Sequence, residues 1–303
     1  MIRSAVRPVI ATVTAVAAVL LTVVAPASAA PKPYPVSYDA LGSFIAGSLV
    51  ADVPPPGANI RTCHSATHPT PVILVHGFSA NQNGSWRAIA PILANDGYCV
   101  FTLNMGQTSL SRPLGIGHIE SLSTSATQLS TFADQVRVWT GAQKVDLITH
   151  SAGGAVANIL LHDLNGATKV RHVINVGGVL SGFPEVHGMA MIDIPALKAP
   201  LLEICPGCGD LDDRDRYQSL KAPIPHVRYT NIATMNDELV TPYRNAHLPA
   251  APNVANITVQ KVCPGSIVGH IGLLYDRGVI TMIRNSLDPD RRRPVRCEPG
   301  FPL

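Results

Sequence analysis

The chain has 303 residues, of which 46% are hydrophobic and 14% charged, and its formal net charge is only +3. That length accommodates one large α/β domain once a targeting segment is set aside. Basic residues are spread out apart from Arg291-Arg292-Arg293 near Arg296, which reads as a solvated tail, so the charge gives no case for nucleic-acid binding.

In chain order, the first element is an export leader. Arg3 and Arg7 give it a positive start, Val9 to Val24 form an unbroken apolar and small-residue run, and Ala27-Ser28-Ala29 supplies the small-x-small pattern that a signal peptidase reads. The expected cut follows Ala29, because a cut after Ala30 would leave Pro31 directly behind the scissile bond. A retained anchor needs a longer apolar span. The expected organisation is therefore a leader over 1–29 and a single domain over 30–303, secreted and with no stable membrane insertion.

Residues 31–71 are rich in proline and carry no β pattern, apart from an apolar patch at Leu41 to Val50; they read as a strap against the main domain. Pro71 to Val75 then forms a continuous apolar, largely β-branched run that ends at His76-Gly77, as a strand buried on both faces of a parallel sheet does. Similar runs recur at Tyr98 to Leu103, Val145 to Thr149, Val170 to Val176, Val227 to Ala233 and Ile257 to Val262. Helical stripes lie between them. Leu122, Ala126, Leu129, Ala133 and Val136 make one, Ala155, Val156, Ile159 and Leu160 another, and Ile271 to Ile283 a less regular last one, interrupted by Gly278. This alternation predicts an α/β fold with a mostly parallel central sheet flanked by helices. Residues 178–225 break the rhythm and read as an insertion over a cleft or a long loop, with Asp210, Asp212, Asp213 and Asp215 solvated.

The decisive segment is Val145 to Gly154. A buried strand runs into Ser151 and then into a helix, with Gly153 two residues after the serine. A serine hydroxyl becomes a useful nucleophile only when it is exposed, aimed and relieved of its proton, and a sharp strand-to-helix turn does the aiming. Thr149 stands where the usual Gly-x-Ser-x-Gly pattern has its first glycine, so a slight local shift is expected. The competing role for Ser151 is that of an ordinary helix N-cap. An oxyanion hole is expected from the Ala152 N–H at the helix start and the Phe78 N–H after His76-Gly77.

Eleven histidines are available as general base. His150 adjoins Ser151 and its side chain faces the opposite way; His76 more naturally orders the oxyanion turn; His247 is the runner-up. His270 follows the last strand and precedes the last helix, where a base would sit at the C-terminal edge of the sheet. Asp237, in the turn after Val227 to Ala233, is the expected acid, with Glu238 its competitor. The order Ser151, Asp237, His270 is that of α/β-hydrolases.

Six cysteines in the exported part permit fifteen pairings, and the choice here is Cys63–Cys99, Cys205–Cys208 and Cys263–Cys297. The first would tie the N-terminal lead-in to a strand and the last would staple the basic tail to the domain. Cys205 and Cys208 lack the second cysteine pair that a zinc site would need, so no metal is expected.

With these residues assembled, Pro71 to Phe78, Gly97 to Phe101, Val145 to Gly154 and Tyr229 to Tyr243 together resemble the secreted class 2 lipases of actinobacteria, of the EstA/EstB type within the α/β-hydrolases. The resemblance covers nearly the whole mature chain. It implies hydrolysis of triacylglycerols or simple esters without a cofactor, at Ser151, Asp237 and His270, with Cys205 and Cys208 paired. The expected partner is a lipid or small ester, met at a lipid–water interface. Two other readings stand beside it: an acyltransferase or polyester hydrolase using the same site, and, more distantly, a non-catalytic binding protein on the same scaffold.

Overall fold

Apolar runs without alternation belong where both faces of a strand are covered, and here they build a six-stranded sheet whose last strand is a partly exposed edge. In the computed structural model, which describes residues 32–181 and 195–303, the strands are β1 (Val72–Val75), β2 (Val100–Thr102), β3 (Val145–His150), β4 (Val170–Val176), β5 (Arg228–Ala233) and β6 (Val254–Thr258). Their order is β2-β1-β3-β4-β5-β6, and every pairing is parallel. The leader expected over 1–29 and its cleavage point lie outside the described residues, as do residues 182–194 of the irregular segment.

The helices in chain order are α1 (Ala40–Ser48), α2 (Gln82–Trp86), α3 (Ile89–Asn95), α4 (Leu122–Thr140), α5 (Ala152–Asp163), α6 (Pro195–Ile204), α7 (Pro206–Asp212), α8 (Arg214–Leu220), α9 (Val259–Val262) and α10 (Arg277–Leu287). Among the described residues none is long and apolar enough to cross a membrane. Alternate strand residues feed two cores. Leu147, Val173 and Tyr229 pack with Leu129 and Ala133 of α4 and Val156 and Leu160 of α5. Ile148, Ile174 and Ile232 pack with Ile89 and Leu93 of α3 and Val279 and Ile283 of α10.

Strand order places the site. The chain steps from β1 to β2 on one side and returns to lay β3 on the other side of β1. At such a reversal the loops leaving the two central strands diverge and open a crevice at their C-terminal ends. Ser151 follows β3 and Phe78 follows β1, so both stand at that crevice.

Several expectations shift. The last strand is Val254–Thr258 rather than Ile257 to Val262, because its partner β5 ends at Ala233, opposite Thr258. Beyond that point no ladder neighbour remains, and Val259–Val262 coils into α9. The last helix is divided: Gly272–Leu274 forms a short 3-10 turn, and α10 starts only after Asp276, whose carboxylate accepts from the Val279 N–H at 2.8 Å. The proline-rich strap contains α1, in which the small residues Ala40, Ser43 and Gly47 face inward while Leu41 and Ile45, and Leu49 just beyond its end, are exposed. Its apolar periodicity therefore points away from the core. Nor is Asp210 solvated: it is half-buried and accepts from the Leu122 N–H at 2.6 Å, bringing α7 onto the start of α4.

All three expected cysteine pairings are formed, with Cα–Cα separations of 5.6, 5.4 and 5.3 Å for Cys63–Cys99, Cys205–Cys208 and Cys263–Cys297. Three disulfides fit a protein that works outside the cell.

Helix α5 approaches β1 closely at Gly153, where a Cβ would lie 2.6 Å from the Val75 carbonyl oxygen and 2.7 Å from that of His76. Both obstacles are backbone and cannot swing aside. Gly153→Ala is therefore expected to destabilise the fold by about 1–3 kcal/mol, read as a lower urea midpoint at unchanged slope; a wild-type midpoint would show that α5 can shift freely.

Candidate active site

Ser151 adopts φ 53° and ψ −126°, a conformation L residues avoid, at the junction of β3 and α5. Backbone bonds on both sides hold it there. Its N–H donates to the Val176 carbonyl at 3.2 Å, and its own carbonyl accepts from Gly154 and Val179, each at 2.9 Å. Gly77 gives the room this requires, since a Cβ there would stand 2.8 Å from the Ser151 Cβ. No helix-capping bond is made by the Ser151 side chain, so the ordinary N-cap role is not what holds it.

The expected acid and base, Asp237 and His270, lie on two loops that interlock. His270 Nδ1 donates to Asp237 Oδ2 at 2.9 Å, with both residues buried. The other carboxylate oxygen, Asp237 Oδ1, accepts from the backbone N–H groups of Leu239 at 3.0 Å and Val240 at 2.7 Å. Glu238, the competitor for the acid role, instead accepts from the His270 backbone N–H at 2.9 Å. Thr234 Oγ1 donates to the Val268 carbonyl at 2.6 Å, and Asn236 Nδ2 donates to that of Ser266 at 3.2 Å. The carboxylate can only accept, so in the neutral ring the proton sits on Nδ1 and Nε2 carries a free lone pair. Among the described residues Nε2 has no hydrogen-bond partner. The structure thus joins Asp237 to His270 and closes no bond between His270 and Ser151.

His150, the residue before Ser151, is bonded to the loop that carries His270. Its Nε2 donates to the His270 carbonyl at 3.1 Å, and the two rings stand 4.6 Å apart between centroids. Gly177, whose N–H donates to the Ile232 carbonyl, walls the other side; a Cβ there would lie 3.2 Å from His270 Nδ1. The tail adds a brace. The N–H groups of Ile267, Gly269 and Gly272 donate to the carbonyls of Pro299, Phe301 and Leu303 at 2.6, 2.9 and 2.5 Å. The Cys263–Cys297 bridge therefore anchors a segment that supports the base loop, a role the cysteine spacing alone does not disclose.

The expected oxyanion donors, Phe78 and Ala152, follow adjacent strands, and neither N–H meets an acceptor among the described residues. His76 orders the turn that carries Phe78: its Nδ1 donates to the Gly77 carbonyl at 2.9 Å and its Nε2 accepts from the Met105 N–H at 3.1 Å. His118 supports it in turn, with Nε2 donating to the His76 carbonyl at 3.0 Å and Nδ1 accepting from Ser125 Oγ at 2.9 Å. Phe78 also packs on the Cys205–Cys208 bridge with Ile119. The runner-up base His247 lies apart, half-buried and edge-on to Tyr243. Among the described residues no group of three His, Cys, Asp or Glu side chains is placed to hold a metal. A cavity of about 640 Å³ lined by His64, Lys144 and Arg171 opens at the opposite, N-terminal edge of the sheet. Ser65 and His68 also line it, and there Ser65 Oγ accepts from the His68 backbone N–H at 3.0 Å and meets no imidazole nitrogen among the described residues.

Burial keeps the supporting imidazoles neutral. Desolvation takes His76 down to about 4 and His172 to about 3, and it holds His118 and His150 well below the ordinary histidine range. The neighbouring histidine adds to the effect for His118 and His150, and Arg228 adds to it for His172.

Residues 69–181 match the family described as Lipase (class 2). That stretch includes Phe78, Ser151 and Ala152 and stops short of Asp237 and His270. Aspergillus fumigatus lipase B is similar in structure, with a TM-score of 0.56 at 17% identity over 75% of this chain; the match spans 53% of lipase B, so this chain corresponds to about half of it. Bacillus licheniformis lipase BlEst2 in its mature form gives 0.51 at 15% identity, over 74% of this chain and 94% of that one. A structure described with LipS and LipT, two metagenome-derived lipolytic enzymes, gives 0.54 at 14% identity, also over 74% and 94%. Together with the six-stranded parallel sheet and its flanking helices, these likenesses establish the α/β-hydrolase fold.

The buried imidazoles bind protons less readily in the folded chain than in the unfolded one. Between the ordinary value of 6.5 and about 4 the unfolded chain holds more protons, so acidification through that window favours unfolding. The melting temperature is expected to be highest above pH 7 and to fall by about 5 °C or more by pH 4.5. His172→Asn, which keeps a polar group beside Thr230, should flatten that slope. A melting temperature independent of pH over this range would contradict the neutral assignments.

Proposed function

We propose that the chain is a secreted carboxylic ester hydrolase, with lipid or small esters as substrates, and that it works through an acyl-enzyme on Ser151. The observation that carries the reading is the His270–Asp237 bond. Among the described residues it leaves Nε2 without a partner, on a histidine whose carbonyl is held by His150, the residue before a backbone-strained serine. The match to Lipase (class 2) over residues 69–181 favours an ester substrate. Three disulfides and the leader-like sequence over 1–29 favour export, and the apolar nature of the expected substrate favours work at a lipid–water interface.

In this reading His270 Nε2 takes the Ser151 proton as Oγ attacks the ester carbonyl. Asp237 stabilises the imidazolium that results, and its remaining oxygen stays fixed by Leu239 and Val240. Negative charge moving onto the carbonyl oxygen meets the N–H groups of Phe78 and Ala152, the second at a helix start where the dipole adds to the effect. His270 then returns the proton to the departing alcohol oxygen. Water, deprotonated by the same ring, attacks the acyl carbon, releases the acid and restores the Ser151 hydroxyl. His150 stays neutral throughout, so the second positive charge that would oppose the imidazolium is absent.

A fluorophosphonate probe is expected to label wild-type protein at Ser151, found by peptide mass spectrometry, and p-nitrophenyl esters should be turned over. Ser151→Ala should abolish labelling, and both it and Asp237→Asn should lower kcat by roughly 10⁴-fold or more. Folded wild-type protein that is neither labelled nor active on any chain length would sink the reading.

A further inference from the structure

Beneath the strained serine, a row of polar side chains crosses a sheet face otherwise filled by Leu147, Val173 and Tyr229. Thr149 Oγ1 donates to Asn175 Oδ1 at 2.6 Å, and Asn175 Nδ2 donates to Asn231 Oδ1 at 2.8 Å. Asn231 Nδ2 donates to Asn256 Oδ1 at 2.8 Å, and Asn256 Nδ2 donates to the Leu248 carbonyl at 2.8 Å. The four residues are direct register partners on β3, β4, β5 and β6. Thr149, Asn175 and Asn231 are fully buried, and only Asn256 is exposed.

The polarity of the row is set from one end. The Leu248 carbonyl can only accept, so Asn256 must turn its amide nitrogen toward it and its oxygen toward Asn231. The same constraint passes along the row and leaves Asn175 Oδ1 facing β3 in need of a donor. The Thr149 hydroxyl is that donor. A glycine at this position, as the usual serine pattern has, would leave a buried amide oxygen unpaired, an outcome proteins avoid at some cost in stability.

Each buried member also leads directly into the site. Thr149 is two residues before Ser151; Asn175 is two before Gly177, which faces the His270 ring; Asn231 is three before Thr234, which holds the Val268 carbonyl ahead of Asp237. We propose that Thr149, Asn175 and Asn231 are positioning residues for acyl transfer, fixing the turn that carries Ser151 against the strand that leads to Asp237. The proposal rests on the ester-hydrolase reading and goes beyond it by assigning a role to the threonine that departs from the motif.

The test compares wild type with Thr149→Val, Thr149→Gly, Thr149→Ser and Asn231→Leu. It measures kcat and KM on a p-nitrophenyl ester, the rate of Ser151 phosphonylation and the melting temperature. Thr149→Val and Thr149→Gly should each lower kcat and the phosphonylation rate about tenfold with KM within about twofold, while Thr149→Ser keeps all three within about threefold. Asn231→Leu, two strands away from Ser151, should lower kcat in the same direction without raising KM. Should Thr149→Val fail to fold, Thr149→Gly carries the test, because glycine is compatible with this turn. Wild-type kcat and phosphonylation in either variant, with only the melting temperature reduced, overturns the proposal and leaves the ester-hydrolase reading standing. A wild-type protein that is not phosphonylated at Ser151 removes that reading, and the proposal with it.

Discussion

A non-glycine residue held at positive φ costs about 1–3 kcal/mol, and it persists only where its surroundings over-determine it. Ser151 is such a residue, and the rest of the site is built around keeping it there. Three backbone hydrogen bonds fix its peptide groups, while Gly77 leaves out a Cβ that would collide with the turn and Gly153 one that would collide with the carbonyls of Val75 and His76. Without that turn the β3 strand would carry its serine along the sheet surface. With it, the hydroxyl is lifted to the crevice where the strand order reverses.

In the proposed mechanism the serine draws on a base from far along the chain, and the placement of His270 comes from loops rather than from secondary structure. The loops bearing Asp237 and His270 are bound to each other by the carboxylate–imidazole bond, by Glu238 to the His270 N–H, and by Thr234 and Asn236 to carbonyls of the base loop. The C-terminal segment ending at Leu303 braces the same loop from outside, and His150 grips its carbonyl from the nucleophile side. Such a network is stiff because nearly every polar group in it has a partner. Among the described residues, the buried side-chain atoms of this network without a partner are Nε2 of His270 and Nδ1 of His150.

Much of this was legible in the sequence, for physical reasons. Strands buried on both faces must be continuously apolar, so β1, β3, β4 and β5 stood out within a residue or two. The turn at Ser151 was legible because strand, small residue and helix must follow in that order. Less legible was anything that depends on partners distant in the chain. The end of β6 is set by where β5 stops, which the Val259–Val262 continuation conceals. Helix α1 hides its register because its inward residues are small and its large apolar ones face out. Asp210 looked like one of four solvated acids, and only the fold shows it paired with the Leu122 N–H. The position of His150 beside Ser151 shows only that it cannot reach its neighbour's hydroxyl, and its grip on the His270 carbonyl becomes apparent only in space. A signal for the polar row did exist: β4, β5 and β6 each carry a single asparagine, Asn175, Asn231 and Asn256.

The decisive question is whether attack by Ser151 places the developing charge where the N–H groups of Phe78 and Ala152 can receive it. A crystal structure of the phosphonylated protein answers it directly. The account predicts phosphorus bonded to Ser151 Oγ, with a phosphoryl oxygen about 3 Å from the N–H groups of both Phe78 and Ala152. His270 Nε2 should face Oγ, with its Asp237 bond intact. An adduct on any other residue, or a phosphoryl oxygen turned away from both N–H groups with the His270 ring directed elsewhere, would contradict it.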